Sequence, residues 1–153
     1  MKNIKIGFSA FGLLVAALQA LPNIAWALFP PTPNALNGNA SSNPFIEYGE
    51  HILGVAIVIL LVFLVNRRNT YKLVPAGIPT IVCFAAIALY WGCWALYYAG
   101  IQATPVIYAM VLLPVTAFFF AGVAEKVTPI SAVSAAFLAF HALVALENFP
   151  LRG

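Results

Sequence analysis

The sequence predicts an all-α fold, a transmembrane bundle of five helices, and three observations carry that expectation. Five apolar stretches each approach or exceed the roughly 20 residues that cross the hydrocarbon core of a bilayer as a helix. Hydrophobic residues make up 63% of the 153-residue chain and charged residues only 7%, against about a quarter charged in an ordinary soluble domain. A chain this short has too little interior to hide so much apolar surface, so the lipid bilayer must cover it. None of the stretches alternates in polarity, which excludes a closed barrel and leaves helices to satisfy the backbone within lipid. Residues 1–153 read as a single integral membrane domain.

Segment one runs from about Ile6 to Phe29, segment two from Phe45 to Val65, segment three from Val74 to Tyr98, segment four from Pro105 to Ala124 and segment five from Pro129 to Leu146. Asn43-Pro44, Thr104-Pro105 and Thr128-Pro129 each read as a capping side chain followed by proline at the first helical position. Residues 30–43, rich in Pro, Asn, Ser and Gly, form the one long connection and read as an irregular surface loop. The other connections are short, so consecutive helices are expected to pack antiparallel. Gly12, Ala16 and Ala20 form a small-residue stripe suited to close helix packing. Ser131, Ala135 and Ala139 repeat that spacing, which is too common in membrane helices to mark a duplication.

Basic residues favour the cytoplasmic side of a membrane. Lys2 and Lys5 precede segment one, Arg67, Arg68 and Lys72 follow segment two, and Lys126 follows segment four. Five crossings place all six on one face, with Arg152 opposite. The chain therefore reads as a multi-pass protein of the cell membrane with a cytoplasmic amino terminus and an external 30–43 loop. Glu47, Glu50 and Glu147 then fall at the outer face. Lys2, Lys5, the apolar run after them and Ala25-Trp26-Ala27 also fit a secretory signal with a cleavage site. Cleavage would leave four helices in the same orientation; the length of the apolar run favours retention.

The net charge of +3 is scattered over connections and offers no basic face, so no nucleic acid partner is expected. Cys83 and Cys93 lie roughly 15 Å apart along one helix, too far for a disulfide, and read as packing residues. The chain has no Asp and no nucleophile elbow, Walker loop or dinucleotide fingerprint. It reads as a non-enzyme, and no cofactor is legible.

Ionisable groups within membrane segments are costly and are the first place to seek function. Glu47, Glu50 and His51 open segment two, with Glu47 and His51 on one face. His141 lies in segment five, roughly 9 Å along the axis from Glu147. The functional reading is an outer pocket in which His51, His141, Glu50 and Glu147 converge on a cation, a metal ion or a polar ligand group. The ordinary reading is dipole stabilisation of acids at a helix start and a hydrogen-bonded packing histidine. HExxH or a similar ligand spacing is absent, and no metal site is assigned.

Trp91, Trp94 and Tyr98 recur on one face of segment three. Tyr97 and Tyr98 fit interfacial anchors, whereas Trp91 and Trp94 fit either a wall for a flat apolar ligand or core packing. Pro114 removes a backbone hydrogen bond in mid-segment four, which either opens a cavity or adjusts packing.

The stretch Leu89-Tyr90-Trp91-Gly92-Cys93-Trp94, with Tyr97-Tyr98, Gln102 and Val127-Thr128-Pro129, resembles the tryptophan-rich sensory protein or translocator family, TspO. The likeness covers under half the chain. Asn43-Pro44-Phe45-Ile46 stands where that family carries a Trp and Pro-Pro signature, and Tyr90 where it carries Asn. The resemblance implies a five-helix bundle binding tetrapyrrole or sterol-like ligands, with Trp91 and Trp94 as the matching aromatics. The sequence as a whole leaves two functional expectations: a ligand-binding or transport protein taking a small hydrophobic or cationic ligand, and an accessory subunit whose helices pack on a homo-oligomeric or other membrane partner.

Overall fold

The structure is a computed structural model that describes residues 3–68 and 73–151. Lys2, Lys72 and Arg152, three of the seven basic residues that bear on orientation, lie outside the described residues. The element order is β1 (Ile4–Ile6), α1 (Ala10–Leu28), α2 (Pro44–Phe63), β2 (Leu64–Asn66), α3 (Ile78–Tyr98), α4 (Thr104–Ala124) and α5 (Thr128–Asn148). All five helices are long and apolar enough to cross a membrane, as the sequence predicts. The chain is thus a polytopic helical membrane protein that contacts the lipid bilayer.

The helix starts follow local chemistry unevenly. At α2 the Asn43 side chain accepts the Phe45 N–H, with Pro44 in the first turn, as expected. At α4 and α5 the helices begin at Thr104 and Thr128 themselves, and neither has a side-chain cap bond. These threonines are helical residues rather than caps. Segment one also starts later than its hydrophobicity suggests. Ser9 caps α1 by accepting the Gly12 N–H, while Ile4–Ile6 is extended and pairs antiparallel with Leu64–Asn66. That three-residue pairing ties the amino terminus to the end of α2.

The connection from α2 to α3 is longer than the sequence reading. Val74 precedes Pro75, which disfavours helical backbone, and Gly77, at φ 129°, adopts a conformation that favours glycine. Helix α3 therefore starts at Ile78 rather than near Val74. Consecutive helices do not all become neighbours either. The main packing pairs are α1 with α2, α2 with α5, α5 with α4 and α4 with α3, while α1 also touches α3 and α4. Helix α2 packs mainly on α5 rather than on α3, and α3 docks on α4.

Lipid tails are as apolar as the helices, so association relies on close packing and buried hydrogen bonds. At Gly12 α1 approaches α2 closely: a Cβ there would lie 1.9 Å from the Leu61 carbonyl oxygen. Phe11, Val15, Ile57, Leu61, Cys83, Ala117, Ala121 and Ile130 are buried around this contact. Between α4 and α5 the chain reverses through a Schellman turn, with Lys126 N–H bonded to Val123 O and Val127 N–H to Gly122 O. This places Lys126 at φ 56°, in the left-handed region that glycine usually supplies. The same end holds Glu125, which is fully buried and accepts a hydrogen bond from the Ser9 hydroxyl.

The 30–43 loop does not simply lie on the surface. Its Leu36 N–H donates to the Tyr97 hydroxyl at 2.8 Å, and Tyr97 donates to Asn34 Oδ1 at 2.6 Å. Gln102 brackets the loop, accepting from Ala35 N–H and donating to Pro33 O. Across the bundle, Glu147 accepts from Ser42 N–H and Asn148 donates to Ala40 O. Tyr97 is completely buried, a loop fastener rather than an interfacial anchor. Tyr98 stays partly exposed and donates to Phe29 O.

Candidate ligand-binding site

Beneath the loop, the five helices surround a cavity of about 490 Å³, within the usual size range of small-molecule sites. Helix α1 contributes Ala16, Gln19, Ala20, Asn23 and Trp26. Small side chains at Ala16 and Ala20 leave space beside that helix, so two members of the predicted small-residue stripe border the cavity while Gly12 packs against α2. Helix α4 supplies an apolar wall of Ile107, Met110, Val111, Pro114 and Phe118. Pro114 is buried on that wall, where its missing N–H leaves the Met110 carbonyl without the usual helical donor.

Helices α2 and α5 bring Glu50, His51, Val58, Phe137 and His141 to the opposite side. Glu50 and His141 are joined by a hydrogen bond between the carboxylate and Nδ1. The His141 ring also stacks on Phe137, with centroids 4.9 Å apart and an interplanar angle of 16°. Stacking and hydrogen bonding fix the imidazole plane, and the ring binds α5 to α2 across 91 positions of sequence. His51 sits at the cavity mouth, with Nδ1 2.8 Å from the Glu47 carbonyl oxygen and 3.6 Å from the Glu47 carboxylate.

Of the residues singled out from sequence, the cavity gathers Glu50, His51, His141 and Trp94. Glu147 is not in its lining; its carboxylate holds the loop through Ser42. Trp91 is not in the lining either, and Pro22 explains what it does instead. Proline at position 22 deprives the Leu18 carbonyl of its helical donor, and the Trp91 indole N–H donates to that carbonyl at 2.9 Å. Trp91 thereby ties α3 to α1. Its neighbour Trp94 is buried and packs edge-on against Tyr90 and Tyr97, with Met110 in the same cluster.

Ligand atoms of Glu47, Glu50 and His51 lie within 4.8 Å of one another, a donor set that suits a divalent cation in type. Their geometry already serves protein contacts: Glu47 accepts from Ser41 N–H, and Glu50 engages His141.

Sequence reading missed Gln19, Asn23 and Asn39. Asn23 Nδ2 donates to the Gln19 backbone carbonyl and to the Tyr90 hydroxyl, both at 2.9 Å. Gln19 and Asn23 stand four residues apart in an otherwise apolar segment, a spacing that places them on one helix face. That signal was present in the sequence. Asn39, inside a polar loop, carried none. Glu125 was likewise legible as an acid directly beside the end of segment four, but its burial was not.

These features define a multi-pass helical bundle with a half-open amphipathic cavity beneath a loop. No protein family, curated protein or solved structure matches the chain, so comparison lends no support to the resemblance to the tryptophan-rich sensory protein family.

Proposed function

We propose that this protein is a non-enzymatic membrane component that binds, or passes across the bilayer, a small and largely apolar molecule held in the cavity under the 30–43 loop. The observation that carries this reading is the combination, in one half-open cavity of about 490 Å³, of an extended apolar wall with a few polar groups. Such a mixture is the usual design of small-molecule sites: apolar area supplies affinity and sparse polar atoms fix orientation. Aromatic rings from Trp26, Tyr90, Trp94 and Phe137 suit a flat or alkyl body.

The basic residues Lys5, Arg67, Arg68 and Lys126 support a cytoplasmic amino terminus. The antiparallel pairing of β1 with β2 and the Asn66 bond to the Lys126 carbonyl put these residues at one end of the bundle. The loop and the cavity mouth are then external. An Asn37→Cys variant lacking Cys83 and Cys93 should be labelled by an impermeant thiol reagent from outside; labelling only after membrane permeabilisation would reverse the orientation.

Native mass spectrometry of the protein released from its own membrane tests the binding reading. Wild type is expected to carry a small-molecule adduct, and Ala20→Phe, which fills the cavity from α1, should lose it while unfolding at a similar temperature. Adducts consisting solely of bilayer lipids, retained equally by Ala20→Phe, would overturn the reading. Protein partners on wild type and variant alike, with no small molecule on either, would favour the accessory-subunit alternative. A tetrapyrrole or sterol adduct lost in Trp94→Ala would favour the TspO-like alternative, for which Trp94 at the cavity wall is the structural support.

A further inference from the structure

Resting on the cavity-binding reading, we propose that the occupant of the cavity carries a protonated amine at the end of its apolar body, and that the Glu50 carboxylate receives that amine. The charges around the cavity set the sign of the head group. Glu50 is the one acid in a lining that contains no Lys or Arg. One of its oxygens is bonded to His141 Nδ1. A neutral imidazole makes that bond through its Nδ1–H, so the pair retains the negative charge of the carboxylate. The other oxygen has no partner among the described residues, and the side chain, 15% exposed, keeps surface that a ligand atom can touch.

A second carboxylate stands beside the first. Ligand atoms of Glu47, Glu50 and His51 lie within 4.8 Å of one another. Like charges this close repel, and a cation placed before them lowers that cost. The described basic residues, Lys5, Arg67, Arg68 and Lys126, gather at the opposite end of the bundle, so none of them supplies that cation.

The rest of the lining suits a cation with an apolar body. Asn23 gives its amide hydrogens to the Gln19 carbonyl and the Tyr90 hydroxyl, which leaves Oδ1, an acceptor, as its free group. The Trp26 indole N–H is taken by Asn34 Oδ1 at 3.0 Å, so Trp26 offers an occupant an aromatic surface, which favours cations. An anion would meet a carboxylate and acceptors here. A bare metal ion would use the carboxylates and leave the α4 wall of Ile107, Met110 and Val111 without a part. An amine with an alkyl or ring body uses both.

Three probes with the same chain and different heads separate this inference from the reading beneath it: octylamine, protonated at neutral pH, octan-1-ol and octanoate. Binding is measured by titration calorimetry in phosphatidylcholine nanodiscs, with protein-free discs subtracted. The amine should bind wild type about tenfold more tightly than the alcohol, the equivalent of one charge-assisted hydrogen bond, and octanoate should bind more weakly than either. Glu50→Gln keeps a group able to bond His141 but removes the charge. It should reduce the preference for the amine over the alcohol to within about twofold while alcohol binding persists. Glu47→Gln leaves the His141 bond in place and should reduce the preference by about twofold to threefold; it decides the matter where Glu50→Gln does not fold. Equal binding of octylamine and octanoate would overturn the head-group inference and leave cavity binding standing, as would a preference for the amine that neither variant changes. Failure of all three probes would overturn both. Tight binding of Zn²⁺ that Ala20→Phe retains and octylamine does not displace would assign the carboxylates to a metal ion and overturn the amine inference.

Discussion

The two ends of this bundle bury polar groups in opposite ways. At the end carrying β1 and β2, the Ser9 hydroxyl and the Glu125 carboxylate meet each other beside the Gly12–Leu61 contact, and the surrounding side chains close over them. At the loop end, Asn23, Glu50, His51 and His141 line a half-open cavity together with its apolar wall. A polar group inside a membrane protein is costly at either place. Where neighbouring side chains close over a polar group it serves the fold, and where the group lines open volume it is also available to something else.

The largest expected effect lies at the closed end. Gly12→Leu must place a side chain where a Cβ alone would approach the Leu61 carbonyl to 1.9 Å. Backbone cannot yield as a flexible side chain can, so the variant should lose at least about 3 kcal/mol or fail to assemble. Thermal unfolding and size-exclusion profiles in detergent would read this. Gly92→Ala is the control, since no atom lies within 4 Å of its added Cβ; it should be neutral or slightly stabilising. Equal tolerance of both changes would show that α1 and α2 do not pack as described.

Glu125→Ala comes next. Removing a fully buried carboxylate from the Ser9 hydroxyl should cost on the order of 3 kcal/mol. The small-molecule adduct carried by the protein that still folds should be unchanged, because Glu125 does not line the cavity. Loss of the adduct without a change in unfolding temperature would erase the division between a structural end and a binding end.

The smallest of these effects tests a bond between α1 and α3, two of the helices that line the cavity. Trp91→Phe removes the donor to the Leu18 carbonyl and should cost about 1 kcal/mol. Pro22→Ala restores a backbone N–H in α1, so Trp91→Phe should cost less in that background than in wild type. Such non-additivity is what a shared acceptor produces. Additive losses in the double-mutant cycle would mean that Trp91 contributes by packing alone.

Much of the architecture was legible because it is local. A run of apolar residues long enough to cross a bilayer must be helical, and Asn43-Pro44 marked the start of α2 correctly because both the cap and the proline act within one turn. The same reasoning failed at Thr104 and Thr128, where proline fits at the second helical position equally well and the threonines became part of the helix. It failed again at Ile6, whose hydrophobicity suits a strand edge or a helix alike and whose partner, Leu64, lies 58 positions away.

The candidate site divides in the same manner. Glu50, His51, His141 and Trp94 were recognisable from residue type and helical phase. Their convergence depended on α2 packing against α5 rather than α3, which no local pattern encodes. Trp91 and Trp94 occupy neighbouring turns of one helix, yet one tethers α1 through a carbonyl freed by Pro22 and the other borders the cavity. Sequence by itself determined five membrane-crossing helices and the end at which the basic residues gather, because the bilayer imposes length and polarity on each segment separately. Only the tertiary structure decided which buried polar groups face each other and which face a cavity, because that depends on how five separately determined helices pack, and packing in lipid turns on contacts between residues far apart in the chain.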